Sequence, residues 1–130
     1  MKNNIFSIIK YLFYFSLIIL LIIYLFPGSL IGYILYGNIG RQPYFISSPI
    51  GTSINHLIFF FYLSILSFIF RSNQKKFINS FSFLFLISII LELLHYFIPN
   101  RAFEFNDVYA NSLGVLLAYF MLKLFRKIKN

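Results

Sequence analysis

Four long apolar stretches, separated by polar or glycine- and proline-containing segments, make up most of the chain. They cover about 6–26, 54–70, 77–97 and 107–125, and the helix of the short second stretch is expected to begin within 51–55. A helix of about 20 residues crosses the roughly 30 Å hydrocarbon core of a bilayer. Backbone amides in lipid must be satisfied within the segment, so each stretch is predicted to be a helix. The pattern predicts an all-α membrane protein, one domain over 1–130 with four transmembrane helices.

The connection over 27–53 differs from the other two. It holds five of the six glycines and three of the four prolines, which indicates irregular structure. Its apolar and aromatic run over 30–36 is expected to lie along the outer membrane interface. The alternative is that the connection only joins two spans.

Composition excludes a soluble cytoplasmic enzyme. Hydrophobic residues make up 60% of the chain and charged residues 11%, whereas soluble domains have about 45–50% and about 25%. Without cysteine, the chain has no disulfide framework, no thiolate metal site and no cysteine nucleophile. The net charge of +8 comes from basic residues beside the spans, where they contact membrane lipids and set topology, so no nucleic acid is expected as a partner.

Basic residues are distributed unequally between the two sides. Each connection at 27–53 and 98–106 holds one arginine, Arg41 or Arg101. By the positive-inside rule these two connections face outward, and both termini and the 71–76 connection lie in the cytoplasm. The residues that set this orientation are Lys2, Lys10, Arg71, Lys75, Lys76, Lys123, Arg126, Lys127 and Lys129.

The three acidic residues of the chain, Glu92, Glu104 and Asp107, fall within one 16-residue window that also contains His95 and Arg101. Glu92 and His95 are three residues apart and share a helix face, while the following proline ends that helix. A carboxylate at this depth needs a partner or a water-filled cavity. Arg101 is the nearest cation, so Glu92 and Arg101 are predicted either to bind a phosphate or carboxylate or to form a structural ion pair.

A second stripe of small and polar residues follows one face of the fourth helix: Asp107, Asn111, Gly114 and Ala118. Asp107 (or Asn106) is predicted to be the N-cap, and Asp107 and Asn111 either orient a ligand or serve capping and interhelical hydrogen bonding. Gly114 and Ala118 form a small-xxx-small pair that predicts close helix packing. That face is a candidate surface for a homo- or hetero-oligomer.

His56 begins the second span on the same predicted side, and together these residues predict a polar pocket open to the outer face. The ligand-binding candidates are Glu92, Arg101, Glu104, Asp107, Asn111 and His56. Glu92, His95 and Asp107 are the candidates for acid–base catalysis, although a histidine that bonds Glu92 is the favoured interpretation of His95. A metal held by Glu92, His95, Asp107 and His56 is conceivable, but no HExxH spacing is present; no metal or other cofactor is expected.

The segment 92–118 resembles the signature of the VanZ-like family of small bacterial integral membrane proteins. The matching positions are Glu92, Pro99, Arg101, Glu104, Asp107, Asn111 and Gly114, and His56 resembles the histidine that opens the family's second span. His95 stands where glutamine is usual, Asn100 where glycine is common and Ala118 where a second glycine often occurs. Thr52 and Ser53 replace a frequent aspartate–lysine pair.

The resemblance implies a multi-pass protein of the bacterial cytoplasmic membrane with a role in the cell envelope. The family's namesake lowers susceptibility to the glycopeptide teicoplanin. The first hypothesis is that the outward pocket recognises an anionic envelope component, either a lipid-linked wall precursor or a phospholipid headgroup. Alternatives are a membrane enzyme acting on a lipid or lipid-linked substrate, and a non-catalytic accessory subunit that packs through Gly114 and Ala118.

Overall fold

A computed structural model describes residues 2–44, 51–71 and 74–129 of the chain. Within them the protein is helical and contains no strand: α1 spans Lys2–Leu25, α2 Leu30–Tyr36, α3 Gly51–Phe70, α4 Gln74–Leu94 and α5 Phe105–Lys129. The four long helices lie where the apolar pattern predicts them. Three of these helices, α1, α3 and α5, contain segments long and apolar enough to cross a bilayer: Asn4–Leu25, Gly51–Phe70 and Phe105–Ile128. The apolar segment found in α4, Ile78–Leu94, is shorter.

The connection after α1 contains a helix that the sequence did not predict. α2 is two turns long, with the Ser29 side chain accepting a hydrogen bond from the Gly32 amide at its start. Gly37 ends it in the left-handed conformation at φ 65°, which a glycine adopts without steric cost. The apolar run over 30–36 is thus a short helix whose side chains are mostly exposed.

α3 and α5 form the centre of the bundle. They make the most extensive contact of any helix pair, while α1 packs mainly against α3 and α4 mainly against α5. The core between them is apolar over most of its length, with Phe13, Phe60, Leu63, Leu84 and Val115 almost completely buried. The outer surfaces carry exposed isoleucine, leucine and phenylalanine side chains, as expected of helices surrounded by lipid.

Gly114 and Ala118 pack inside the chain. A Cβ atom at Gly114 would lie 2.5 Å from the Leu57 carbonyl oxygen and 2.9 Å from the Phe61 amide nitrogen, so α5 meets the backbone of α3 there. Ala118 is completely buried. At Gly114, the α5 face that was a candidate surface for an oligomer therefore packs against α3.

The start of α5 corrects one prediction. The helix begins at Phe105, two residues before the predicted boundary, and the Glu104 carbonyl accepts from the amides of Asp107 and Val108. Asp107 is consequently in the first turn of the helix and is not its N-cap. Its carboxylate is free to turn toward α3.

Replacing Gly114 by leucine should destabilise the protein, because four extra heavy atoms would be forced between two helix backbones. Overpacked cores typically lose about 1–3 kcal/mol, and the loss should appear as a lower melting temperature of the purified protein in detergent. Phe120→Leu, at an exposed position of the same helix, is the control and should leave the melting temperature nearly unchanged. Equal melting temperatures for the two variants would contradict the close approach of the α3 and α5 backbones at Gly114.

Candidate binding site

All four long helices contribute to one polar cluster, at the end of the bundle where α1 and α4 terminate and α3 and α5 begin. Its members are Tyr24 from α1, Ser53 and His56 from α3, Glu92 from α4, His95 from the turn directly after α4, and Asp107 and Asn111 from α5. We call this set the polar cluster. The structure thus brings together the two segments, 55–56 and 92–111, that the sequence predicted to meet.

Tyr24 is the hub of the cluster. Its hydroxyl donates to Asn111 Oδ1 at 2.8 Å and lies 2.8 Å from His56 Nδ1. A hydroxyl has one hydrogen, and the amide oxygen of Asn111 can only accept it. His56 Nδ1 must therefore carry a hydrogen and donate to Tyr24. Asn111 is completely buried and donates through Nδ2 to the Ser88 carbonyl at 3.3 Å, so its side-chain amide is committed within the protein.

Glu92 and His95 form the contact predicted from their spacing, with Glu92 Oε1 and His95 Nδ1 3.0 Å apart. The other ring nitrogen of His95 lies 3.2 Å from the Tyr24 carbonyl, which can only accept, so Nε2 carries a hydrogen. The Glu92–His95 contact then needs one more proton: either His95 is an imidazolium beside a carboxylate, or Glu92 is neutral and donates. The Glu104 amide also donates to Glu92 Oε1, at 3.3 Å.

Asp107 faces α3. Its Oδ1 accepts a short hydrogen bond from the Ser53 hydroxyl, and its Oδ2 lies 3.7 Å from His56 Nδ1. The side chain is largely buried, at 6% relative exposure. Ser53 is one helical turn before His56 on α3, which explains why both side chains reach the same carboxylate.

Arg101 does not pair with Glu92 within the part of the chain that the structure describes. Its Nη2 donates to the Ile23 carbonyl at 2.6 Å and its Nε to the Phe26 carbonyl at 3.3 Å. These carbonyls lie at the carboxyl end of α1. The last carbonyls of a helix have no partner within the helix, and the helix dipole is negative there, so a cation is favoured. Partial burial lowers the pKa of Arg101 from its ordinary value, and nearby Tyr24, Glu92 and Asp107 oppose that shift. The ion pair predicted between Glu92 and Arg101 is therefore not formed among the described residues; the Arg101 side chain instead hydrogen-bonds the carbonyls at the end of α1.

Glu104 differs from the other two acids because its side chain is exposed. Partial desolvation, followed by repulsion from Asp107 and Glu92, raises the pKa of its carboxyl above the ordinary value. The described residues give the carboxylate no hydrogen bond or ion pair; the residue reaches the cluster only through its backbone amide. Glu104 therefore belongs to the rim of the site.

Two cavities and a groove adjoin the cluster. A polar cavity of about 380 Å³ is lined by Gly40, Gln42, Tyr44, Thr52, His56, His95, Asn100, Arg101, Ala102, Glu104 and Asp107. An apolar groove of about 410 Å³ lies between α2 and α3, lined by Ile31, Leu35, Pro43, Tyr44, Asn55, Ile58, Phe59 and Tyr62. A connecting cavity of about 120 Å³ shares Gln42, His56 and Arg101 with the first, and Ile31, Pro43, Asn55 and Phe59 with the second.

The lining separates the predicted ligand-binding residues into two groups. His56, Arg101, Glu104 and Asp107 border the polar cavity, and so does His95. Glu92 and Asn111 are fully buried behind them and border none of these spaces. Neither residue lines the cavity; hydrogen bonds connect Glu92 to His95 and Asn111 to Tyr24.

Sequence reasoning missed Tyr24 and Ser53. Tyr24 is one of ten tyrosines and lies in a span with no other marker of function, so no signal distinguished it. Ser53 could have been found, because it precedes His56 by three residues and α3 begins at Gly51. The predicted boundary at 54 placed it in the preceding connection.

The apolar helices and the buried polar cluster at one end of the bundle define a helical membrane protein. A family model, VanZ/LLP1, matches residues 4–126. Because this match covers nearly the whole chain, the protein belongs to the VanZ/LLP1 family, as its signature residues indicated. Comparisons with curated proteins and with solved structures gave no match.

Tyr24→Phe should destabilise the protein, because removal of the hydroxyl leaves Asn111 Oδ1 and His56 Nδ1 without the partner they share. Loss of one partner of a buried polar group costs about 1–3 kcal/mol. Chemical denaturation in detergent measures the change. The matched control is Tyr11→Phe, which removes a hydroxyl from a 72% exposed position of the same helix and should have little effect. A stability equal to that of the control would argue against Tyr24 as the hub.

Proposed function

We propose that the protein is a four-span protein of the bacterial cytoplasmic membrane whose polar cavity faces outward and binds an anionic cell-envelope component. The ligand class is an amphiphile with a phosphate-bearing headgroup, as in a phospholipid or a lipid-linked wall precursor. Both termini lie in the cytoplasm in this proposal, as the distribution of basic residues predicts. The polar end of the bundle is then at the outer leaflet.

The adjacency of the polar cavity and the apolar groove, which share lining residues with the connecting cavity between them, carries the proposal. The connecting cavity borders both, through Arg101 and His56 on one side and Ile31 and Phe59 on the other. An amphiphile has the matching shape, since its headgroup needs polar partners and its chain needs an apolar surface. A small polar solute would use only the first space, and a purely apolar molecule only the second.

The donors around the polar cavity support an anionic headgroup. Arg101 is held in place by two hydrogen bonds to α1, and its Nη1 makes none within the described residues. A guanidinium with one uncommitted edge suits a phosphate oxygen. When Glu92 is ionised, His95 adds a second positive group at the cavity wall. In this proposal Tyr24 orients His56, while Glu92 orients His95.

Thr52 offers a test, because it borders the polar cavity without belonging to the hydrogen-bonded polar cluster. Thr52→Glu adds a negative charge and should weaken binding of phosphatidylglycerol to the purified protein about tenfold, equivalent to about 1.4 kcal/mol of repulsion. A glutamate in the first turn of α3 is favourable for the helix, so the fold should persist. Thr52→Gln is the neutral control of similar size and should retain binding, as measured by lipid titration in detergent micelles.

The same titration tests the apolar groove. Ile58→Trp fills the groove and should weaken phosphatidylglycerol binding, whereas Leu117→Trp changes a residue of the same 45% exposure on α5 and should not. Phosphatidylcholine with the same chains should bind more weakly than phosphatidylglycerol. Inorganic phosphate that competes as well as the lipid would show that the site recognises a free anion. Equal binding of all four variants would refute the proposed site.

The resemblance to the family's namesake adds a proposed link to teicoplanin susceptibility. In a teicoplanin-sensitive Gram-positive host, expression of the wild-type protein and Thr52→Gln should lower susceptibility equally, and Thr52→Glu should not. Equal susceptibility of cells with and without the wild-type protein would remove this link.

The proposed topology is testable because the chain has no cysteine. Single cysteines replacing Arg41 and Phe103 should react with a membrane-impermeant maleimide in intact cells. A cysteine replacing Asn73 should react only after permeabilisation, because the 71–76 connection is expected in the cytoplasm. Reaction of the residue-73 cysteine in intact cells, with protection of the other two, would invert the topology and place the polar cavity inside.

A further inference from the structure

The two buried carboxylates of the polar cluster are held in the same manner. Each uses one oxygen for hydrogen bonds within the protein: Glu92 Oε1 is bound by His95 and the Glu104 amide, and Asp107 Oδ1 by Ser53. The second oxygen of each points toward the same nitrogen. Glu92 Oε2 lies 3.9 Å and Asp107 Oδ2 lies 3.7 Å from His56 Nδ1, beyond hydrogen-bonding distance.

Glu92 Oε2 is an unpartnered buried polar atom. Glu92 has 0% relative exposure, and Oε2 makes no hydrogen bond within the described residues. Buried polar atoms in proteins nearly always have a partner, and a carboxylate oxygen without one is expensive in an apolar interior. The oxygen faces His56 and Asp107, so the missing partner is expected between these three side chains.

We propose that His56, Glu92 and Asp107 bind a divalent transition-metal ion, with Zn²⁺ as the best-matched class. Their ligand atoms lie within 4.8 Å of one another. Two ligands about 2.1 Å from a tetrahedral ion are roughly 3.4 Å apart. The 3.7 and 3.9 Å separations from His56 Nδ1 are a few tenths of an ångström longer than this. The two carboxylates, whose ligand oxygens lie within 4.8 Å of each other, would also have to close to that distance. An ion there would give Glu92 Oε2 a partner. His56 would have to shift its hydrogen from Nδ1 to Nε2 and give up the bond that Nδ1 donates to Tyr24, while Tyr24 keeps its bond to Asn111.

The donor set identifies the class of ion. One imidazole and two carboxylates suit Zn²⁺ and related divalent transition metals, whereas Mg²⁺ and Ca²⁺ prefer oxygen ligands alone. Copper(I) is disfavoured, because the chain has no cysteine to supply a soft thiolate. Three protein ligands leave a fourth position of a tetrahedral ion open. His56 and Asp107 border the polar cavity, so that position would face it.

The surrounding hydrogen bonds are those expected around metal ligands. Carboxylates that bind metals are usually oriented by donors on their other oxygen, and such outer partners fix the ligand geometry. Here His95 and the Glu104 amide orient Glu92, and Ser53 orients Asp107. The sequence analysis weighed a metal held by Glu92, His95, Asp107 and His56 and expected none, because no HExxH spacing is present. The structure supplies the three ligands from three helices, α3, α4 and α5.

The test uses the full-length protein in detergent, with its affinity tag removed and bound metal stripped with a chelator. Titration with Co²⁺ should produce the visible absorption bands of a low-coordinate site and saturate at one ion per chain, and Zn²⁺ should displace it. Zn²⁺ should also raise the melting temperature, because it binds only the folded bundle.

Glu92→Gln keeps the shape of the side chain and removes the ligand charge. Changes to outer partners of metal ligands cost roughly 10–100-fold in affinity, so loss of a direct ligand should weaken Zn²⁺ binding at least about 100-fold. Asp107→Asn is the second variant, used where Glu92→Gln fails to elute as a single species. Glu104→Gln removes the same charge from the rim without removing a ligand, and should weaken binding less than about tenfold.

The inference is overturned if the wild-type protein binds neither Co²⁺ nor Zn²⁺, or if Glu92→Gln and Asp107→Asn bind as tightly as the wild type. It is also overturned if Glu104→Gln weakens binding as much as they do, because the effect is then one of net charge alone. Lipid discrimination by the Thr52 variants is measured separately. If the protein binds no metal but the Thr52 variants still differ in lipid binding, this inference fails and the proposed function stands. If the protein binds metal but the Thr52 variants do not differ in lipid binding, the proposed function fails and the metal site stands.

Discussion

The close approach of α3 and α5 at Gly114 determines the geometry of the polar cluster. With no side chain at this position, the α5 backbone contacts α3 near Leu57 and Phe61. Asp107 lies seven residues earlier on the same face of α5 and contacts Ser53 of α3. Asn111, between them, bonds Tyr24 of α1 and the Ser88 carbonyl of α4. His56 immediately precedes Leu57. A wider separation between the helices would move Asp107 out of reach of Ser53 and His56 and open the cluster to lipid.

Backbone groups at the ends of helices supply hydrogen bonds to two of the ionisable side chains in this apolar bundle. Arg101 satisfies carbonyls at the carboxyl end of α1, and the amide of Glu104, just before α5, donates to Glu92. Tyr24 and Asn111 connect α1, α4 and α5 with neutral hydrogen bonds. Neutral bonds of this kind hold helices together without the desolvation cost of further charges. The buried charged and amide side chains of the described residues are therefore confined to one end of the bundle. The rest of the core consists of apolar side chains and buried serines such as Ser16, Ser64 and Ser67.

The spacing of residues along the chain predicted the helices and the contacts within single segments, but it did not predict the contacts between helices. The four apolar stretches, the Glu92–His95 contact and the stripe from Asp107 to Ala118 all follow from spacing along the chain. Tyr24 could not be found in this way, because its partners are 32 and 87 residues away. Arg101 was paired with Glu92 because it is the cation nearest to that carboxylate along the chain, yet its guanidinium binds carbonyls at the carboxyl end of α1. The rotation of each helix about its axis depends on packing, which local spacing does not encode.

The charges around the polar cavity connect the proposed metal ion to the proposed ligand. With neutral imidazoles, Glu92, Glu104 and Asp107 outnumber Arg101 there, and this excess of negative charge opposes an anionic headgroup. A proton on His95 offsets one carboxylate but leaves the balance negative. A divalent ion between His56, Glu92 and Asp107 would cancel this excess, or leave a net positive charge when His95 carries its proton, and would place an open coordination position beside the cavity. The ion would therefore strengthen binding of a phosphate, whose direct contact in the proposal remains Arg101.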